Sequence, residues 1–150
     1  MPKATFPDLA ETLGSLLRRP YEKLQESLYE RLAAGGFPEI RSAHSAVFRN
    51  LAPDGSRLTD LAAAAGMTKQ SMAYLVEALA AEDYVEIQPD LHDGRAKRVV
   101  LTAKGRRCIQ TALNISQDLE KEAARLMSKG NMKVLRQLLK ELDQTLAPPC

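Results

Sequence analysis

Positive side chains are concentrated in one stretch of the sequence. Between Leu91 and Arg107 a single acidic residue, Asp93, stands among six basic ones: Arg95, Lys97, Arg98, Lys104, Arg106 and Arg107. Lys and Arg neutralise phosphates whatever the nucleotide sequence, and a guanidinium can also enter a narrow minor groove. The formal net charge of +2 over 150 residues is too small to indicate nucleic acid. The prediction of a phosphate-binding surface therefore rests on the local concentration of basic residues in this stretch.

The polar sequence from His92 to Arg95 reads as the turn of a β-hairpin. Arg95 lies at its tip and is our candidate for a minor-groove contact. Asp93 is two residues away, close enough to hold either the Arg95 guanidinium or the turn backbone. The plainer alternative is a hairpin turn with solvated basic neighbours.

A second polar group begins at Thr68. In a helix capped by Thr68, Lys69 can reach a phosphate, Gln70 and Ser71 can bond base edges, and Tyr74 can contact a phosphate or a thymine methyl. For an arbitrary amphipathic helix these residues would form a solvated face, so their assignment depends on the surrounding elements.

The residues of an enzyme site do not stand together in the sequence. His44 and His92 lack a metal-ligand spacing, no glycine motif could cradle a phosphate, and the acids are spread as helix-surface charges. We therefore expect no catalytic activity, no metal and no cofactor.

Composition indicates one globular unit with an aliphatic core. The chain is 45% hydrophobic but 5% aromatic, with no Trp and two cysteines. It shows no secretory leader and no apolar run long enough to span a bilayer, so the sequence predicts a cytoplasmic protein without a membrane partner.

The elements that position these residues begin after a predicted mobile arm, residues 1–7. Apolar spacing then predicts two helical segments that meet at Pro20 and end at Gly35–Gly36, followed by a helix over about 40–51 and a loop from Ala52 to Arg57. Thr59 is expected to cap a short helix that ends at Gly66, and Thr68 the next one.

The inner face of that next helix is predicted from Met72, Leu75, Val76 and Leu79. Residues 84–88 and 98–101 then read as the two strands of a hairpin. Thr102 can cap a long helix, which Gly130–Asn131 separates from a last one. The terminal helices have no strand partners, so their apolar stripes are expected to pair with a second subunit.

The fold class predicted is mainly α with a small β-hairpin wing: a winged helix-turn-helix plus N- and C-terminal dimerisation helices. We expect a single domain over 1–150, with helical dimerisation regions at 8–36 and 106–147 and a DNA-binding region at 38–105.

The segment Asp93–Gly105 resembles the wing signature D-x-R-[AS]-x4-L-T-x2-G of the MarR (multiple antibiotic resistance regulator) family of winged-helix transcription factors. Leu58–Ala62 and Thr68–Met72 resemble the family's supporting and recognition helices in the same order. Two residues depart from its pattern: Tyr74 stands where many members have Arg, and Asp83 where Gly commonly ends the recognition helix.

The resemblance implies a homodimeric, ligand-responsive repressor on a pseudo-palindromic operator, with double-stranded DNA, a second copy and a small aromatic or phenolic effector as partners. The DNA-binding residues it supports are Thr68, Lys69, Gln70, Ser71, Tyr74, Asp93, Arg95, Lys97 and Arg98. Candidate effector residues, each more often an ordinary packing or surface residue, are Tyr21, Tyr29, Arg41, His44 and Arg49.

Two alternatives remain open from the residues alone. A winged-helix module that binds proteins shares the fold, although an exposed apolar patch on the wing would be more typical of it. Cysteine-based redox sensing, known in relatives, would need an accessible thiolate near a basic group. Cys108 follows Arg106 and Arg107, but it reads more simply as a packing residue. Cys150 follows two prolines and reads more simply as a tail residue.

Overall fold

The computed structural model describes residues 6–148. It is mainly helical with one small antiparallel sheet, so the predicted fold class is confirmed. In chain order the elements are α1 (Leu13–Ala34), α2 (Ser45–Phe48), β1 (Ser56–Arg57), α3 (Leu58–Ala64), α4 (Lys69–Ala81), β2 (Val85–Pro89), β3 (Lys97–Leu101), α5 (Ala103–Leu126) and α6 (Asn131–Leu146). Two 3-10 helices, Pro7–Glu11 and Ser42–His44, precede α1 and α2.

The first long helix corrects the prediction of two segments that meet at Pro20. Thr12 caps α1 by accepting the Ser15 N–H, and the helix continues through Pro20 to Ala34. Pro20 removes one backbone donor, but the apolar spacing runs through it without a phase change. Residues 1–5 of the predicted arm lie outside the described residues. The predicted end of the arm at Pro7 is wrong, because a 3-10 helix begins there.

The helix predicted over about 40–51 is much shorter than expected. The Asn50 N–H bonds the Val47 carbonyl, while the Asn50 side chain takes the Ala46 carbonyl at 2.7 Å. The acceptor that would continue the α-helix is therefore occupied by a side chain, and α2 ends at Phe48.

The sheet contains a strand that the sequence analysis missed. β1 lies within the predicted loop 52–57 and pairs with β3, giving the order β1-β3-β2 with all pairs antiparallel. Because Arg57 is still extended as the last residue of β1, α3 begins directly after it at Leu58. Thr59 thus lies inside α3, and the prediction that it caps the helix is wrong.

The core lies where α1, the two short central helices, α4 and the sheet meet. Its most deeply buried side chains are Leu32, Val47, Leu61, Met72, Val76, Leu79, Tyr84 and Val99. The last helices contribute little to it: Cys108 of α5 is buried, and α6 has no buried residue. Among residues 6–148 no helix is both long and apolar enough to cross a membrane.

Thr102 joins α5 to the end of α4, as well as capping α5 as predicted. Its hydroxyl accepts the Gly105 N–H at 3.0 Å and donates to the Asp83 carbonyl at 2.5 Å, while the Thr102 N–H donates to the Tyr84 carbonyl at 3.2 Å. Gly105 itself is buried against Tyr84, and a Cβ there would collide with the Tyr84 carbonyl oxygen. The first turn of α5 can approach this backbone only because residue 105 has no side chain.

Gly105→Ala is therefore expected to lower the free energy of unfolding by about 1–3 kcal/mol, since backbone atoms must move to admit the methyl group. Urea denaturation would measure the change. Gly94→Ala is the matched control, because a Cβ at Gly94 meets no atom within 4 Å. Equal stability of the two variants would contradict the close approach.

Candidate nucleic-acid interface

Helix α4 presents a polar face at its N-terminus. Thr68 caps it as predicted, with its hydroxyl 3.0 Å from the Ser71 N–H that donates to it. The neighbouring polar side chains are exposed: Lys69, Gln70, Ser71 and Tyr74. On the opposite face Met72, Val76 and Leu79 are buried as expected, whereas Leu75 is only half-buried. The buried face holds the helix and leaves its polar residues exposed to solvent.

The end of α4 is fixed by Asp83, the residue that departs from the family pattern. Asp83 has a φ of 62°, so it adopts the left-handed conformation that the common Gly would adopt. The Tyr84 N–H then bonds the Leu79 carbonyl at 2.9 Å, and the Asp83 N–H bonds Ala80 at 3.1 Å. This pair of bonds ends the helix and directs the chain into β2.

In the wing, Asp93 holds the turn backbone. Its carboxylate accepts the Arg95 N–H at 3.0 Å, and its carbonyl accepts the Ala96 N–H at 2.9 Å. Of the two roles considered for Asp93, backbone positioning is the one observed. The Arg95 guanidinium has no hydrogen bond or ion pair with any residue among those described. It is exposed at the tip of the wing.

The polar face of α4 and the wing line one cleft of about 570 Å³. Lys69, Gln70 and Ala73 form its helix side, and Leu58 and Thr59 its floor. The wing side consists of Asp93, Arg95, Ala96 and Lys97. Two predicted site residues, Ser71 and Tyr74, line a neighbouring groove of about 700 Å³ that also contains Gln70. The structure therefore brings the helix and wing candidates together on one side of the molecule.

Five of the six residues of the basic stretch fall into two groups. Arg95 and Lys97 border the cleft, whereas three others bond backbone carbonyls elsewhere: Arg98 to Asp54 at 2.7 Å, Lys104 to Glu82 at 2.7 Å and Arg106 to Pro53 at 3.2 Å. Lys104 also lies 4.2 Å above the Tyr84 ring. These three support the scaffold, and Arg98 is the one predicted DNA-binding residue among them.

Asp90 is the charged residue of the wing that sequence reasoning missed. Its side chain is 3% exposed and pairs with Arg57 of β1 through two hydrogen bonds of 3.0 Å. The Arg57 guanidinium and the N–H groups of His92 and Asp93 hold the pKa of the Asp90 carboxyl far below its usual range. An Asp whose carboxylate accepts the N–H of the residue two positions later is a turn signal that can be read from the sequence. The pairing of Asp90 with Arg57, 33 positions upstream, cannot be read in this way.

A separate cavity of about 360 Å³ lies between α1, α2 and α5. Tyr21, Tyr29 and Arg49, three of the effector candidates, line it. Arg41 lines an adjoining groove of about 530 Å³ together with the two tyrosines. His44 borders neither; its Nδ1 accepts the Arg41 N–H at 2.9 Å. Burial and then the nearby Arg41 charge lower the pKa of His44.

Cys108 also borders this cavity, but it does not have the environment of a reactive thiol. It is 2% exposed, and burial raises its pKa to about 11, with only a smaller lowering effect from Lys104. The thiolate therefore forms only well above neutral pH. Cys150 lies outside the described residues. Within residues 6–148 no group of three or more His, Cys, Asp or Glu side chains could hold a metal ion.

We therefore expect a thiol reagent at pH 7 to modify Cys108 at least about tenfold more slowly in the native protein than in urea. In the native protein both the exposure of Cys108 and its thiolate fraction are low. Mass spectrometry of the Cys108 peptide gives both rates. The Cys108→Ser variant identifies any reaction at Cys150. Rapid modification of native Cys108 would restore the redox hypothesis.

The MarR family model matches residues 41–96. No curated protein sequence matches the chain significantly. Among solved structures, the transcriptional repressor CouR bound to a 23-mer DNA duplex is 21% identical with a TM-score of 0.69, over 91% of this chain and 96% of that one. MarR from E. coli, in its apo form, is 21% identical with a TM-score of 0.70, over 87% and 96%.

MepR, a transcription regulator of the Staphylococcus aureus multidrug efflux pump MepA, is 18% identical with a TM-score of 0.69, over 91% of this chain and 99% of that chain. These proteins are regulators, and the MarR family consists of transcription regulators rather than enzymes. The resemblance seen in the wing and helix motifs is confirmed. Residues 41–96 match the MarR family model, and the chain as a whole has the fold of these solved transcription regulators, MarR among them.

Proposed function

We propose that this protein is a sequence-specific DNA-binding transcription regulator, a ligand-responsive repressor that acts as a homodimer in the cytoplasm on a pseudo-palindromic operator. The observation that carries the proposal is the cleft between α4 and the wing. It combines exposed hydrogen-bonding groups, Gln70 above all, with three cations, Lys69, Arg95 and Lys97, that form no ion pair with any residue from 6 to 148. A duplex offers base edges in the major groove and phosphates on either side of it, which these groups match.

In this arrangement the N-terminal turns of α4 enter the major groove and Arg95 reaches the flanking minor groove. Lys69 and Lys97 contact phosphates, and Gln70, Ser71 and Tyr74 face bases or backbone. Thr68 and Asp93 contribute by fixing the helix start and the wing turn. Repression follows where the operator overlaps a promoter, because the bound dimer excludes polymerase.

The dimer proposal rests on apolar side chains that the single chain leaves exposed. On α6 Val134 and Leu138 are 53% and 55% exposed, and on α1 Leu13 is 56% exposed. Both helices are amphipathic, and their apolar residues would be costly to leave in water. A second copy that packs its own terminal helices here buries them and places two α4 helices for half-sites about one turn apart.

The effector proposal rests on the cavity between α1, α2 and α5. Its apolar wall includes Leu32, Ile40 and Phe48, and the tyrosine hydroxyls and Arg49 supply polar groups. Such a lining suits a small aromatic or phenolic acid. Because the cavity lies between the terminal helices and α2, an occupant that favours one spacing of the α4 helices would change DNA affinity.

Selection of bound sequences from a randomised duplex pool, at controlled salt, tests the function. We expect enrichment of a pseudo-palindrome and an affinity that falls steeply as salt rises. Gln70→Ala should alter preference at one or two base pairs, whereas Arg95→Ala should weaken binding roughly fivefold to tenfold without dissociating the dimer. Arg107→Ala, a basic residue outside the cleft, is the control. Absence of both enrichment and salt dependence would favour the protein-interaction module.

Leu138→Glu is expected to raise the dissociation constant of the dimer by roughly tenfold or more, because it places a charge in an apolar interface. Sedimentation equilibrium would measure it. Gln137→Glu introduces the same charge next to Leu138 and serves as the control. If both variants remain dimeric to the same extent, this part of α6 does not form the interface.

A further inference from the structure

The clearest unexplained feature of the wing is a buried carboxylate. Among residues 6–148, Asp90 is the one buried residue with a charged side chain, at 6% exposure of the whole residue. Both of its oxygens are used. Oδ2 accepts the Arg57 Nε–H at 3.0 Å, and Oδ1 accepts Arg57 Nη2 at 3.0 Å, the His92 N–H at 2.9 Å and the Asp93 N–H at 3.1 Å. A charge buried this deeply persists only where its hydrogen bonds are satisfied.

These bonds connect two parts of the DNA-binding region. Arg57 is the last residue of β1 and the residue that immediately precedes α3. Asp90 directly follows β2 and opens the wing loop. The carboxylate therefore ties the base of the wing loop to the start of the helix on which α4 packs.

The loop itself is a closed set of hydrogen bonds that begins at Asp90. Its N–H donates to the Ala96 carbonyl at 2.9 Å, and the Ala96 N–H returns to the Asp93 carbonyl at 2.9 Å. Asp93 in turn accepts the Arg95 N–H. The position of Arg95 relative to Gln70 on α4 is thus set through Asp90, although Asp90 itself is not exposed to a ligand.

We propose that Asp90, through its bidentate pair with Arg57, is a positioning residue that holds Arg95 at the distance from α4 at which the helix and the wing bind one duplex together. This inference rests on the proposed function. A purely structural ion pair would stabilise the fold but would have no particular relation to Arg95. A positioning pair makes the Arg95 contact depend on Asp90.

A double-mutant cycle separates these two roles. Wild type, Asp90→Asn, Arg95→Ala and the double variant are titrated with the selected duplex at one salt concentration, each shown folded by circular dichroism. Asn is chosen because it keeps the Oδ1 acceptor for the two loop N–H groups and removes the charge that Arg57 faces.

Asp90→Asn is expected to weaken binding by no more than Arg95→Ala does, about fivefold to tenfold, because it acts through the Arg95 contact. The double variant should bind within about twofold of Arg95→Ala alone, because without the guanidinium there is nothing left to position. Asp90→Asn should also lose the preference for A·T over G·C in the flanking minor groove, as Arg95→Ala does. Wild-type affinity for Asp90→Asn, or losses that multiply in the double variant, would overturn the proposal.

Glu122→Gln is the matched control. It breaks the other bidentate Arg–carboxylate pair, Arg31–Glu122 at 2.7 and 2.8 Å, which joins α1 to α5 away from the wing. It should keep wild-type affinity, and an equal loss would show a general effect of stability instead of positioning. If Asp90→Asn does not fold, Arg57→Lys replaces it in the same cycle, because Lys keeps the positive charge but cannot form the two parallel hydrogen bonds of the guanidinium. A wild type that binds no duplex refutes the function; a wild type that binds, with an uncoupled cycle, refutes only this inference.

Discussion

The arrangement of α4, the wing and α5 depends on the burial of Tyr84. Its side chain is fully buried directly after α4, and its hydroxyl donates to Glu39 at 2.6 Å. Burial and then that hydrogen bond raise the pKa of the Tyr84 phenol well above its usual value, so it remains a donor. The Tyr84 backbone meanwhile bonds Leu79 of α4 and Thr102 at the start of α5. One residue thus fixes the end of α4, the start of β2 and the start of α5.

This junction explains why a residue with positive φ precedes the hairpin and a buried glycine follows it. Asp83 adopts a positive φ that is unfavourable for most residues but accessible to Asp. The hydrogen bonds of Tyr84 on either side specify that conformation. Gly105 is required at the same junction, because α5 approaches the Tyr84 carbonyl so closely that a side chain at residue 105 would collide with it. The direction of the chain from α4 into the wing is therefore set by packing around one phenol, by the positive φ of Asp83 and by the missing side chain at Gly105.

Much of the fold could be predicted because its signals are local. The Thr68 and Thr102 caps, the left-handed Gly66 and the inner face of α4 each depend on residues a few positions apart. The errors share a different cause. β1 exists because two residues pair with β3 more than 40 positions later, and α1 passes through Pro20 because packing and periodicity outweigh one missing donor. Asp90 likewise has a readable turn signal, but its pairing with Arg57 is a tertiary fact.

The distribution of positive charge shows the same limit at the candidate site. Six basic residues in one stretch predict a phosphate-binding surface, and treating them alike would predict six similar contacts. In the structure Arg98, Lys104 and Arg106 bond carbonyls of Asp54, Glu82 and Pro53, and so attach the wing and α5 to neighbouring segments. Arg95 and Lys97 keep solvated side chains on the cleft. Sign of charge can be read from sequence, but the geometry of the acceptors decides which cations are left for a duplex.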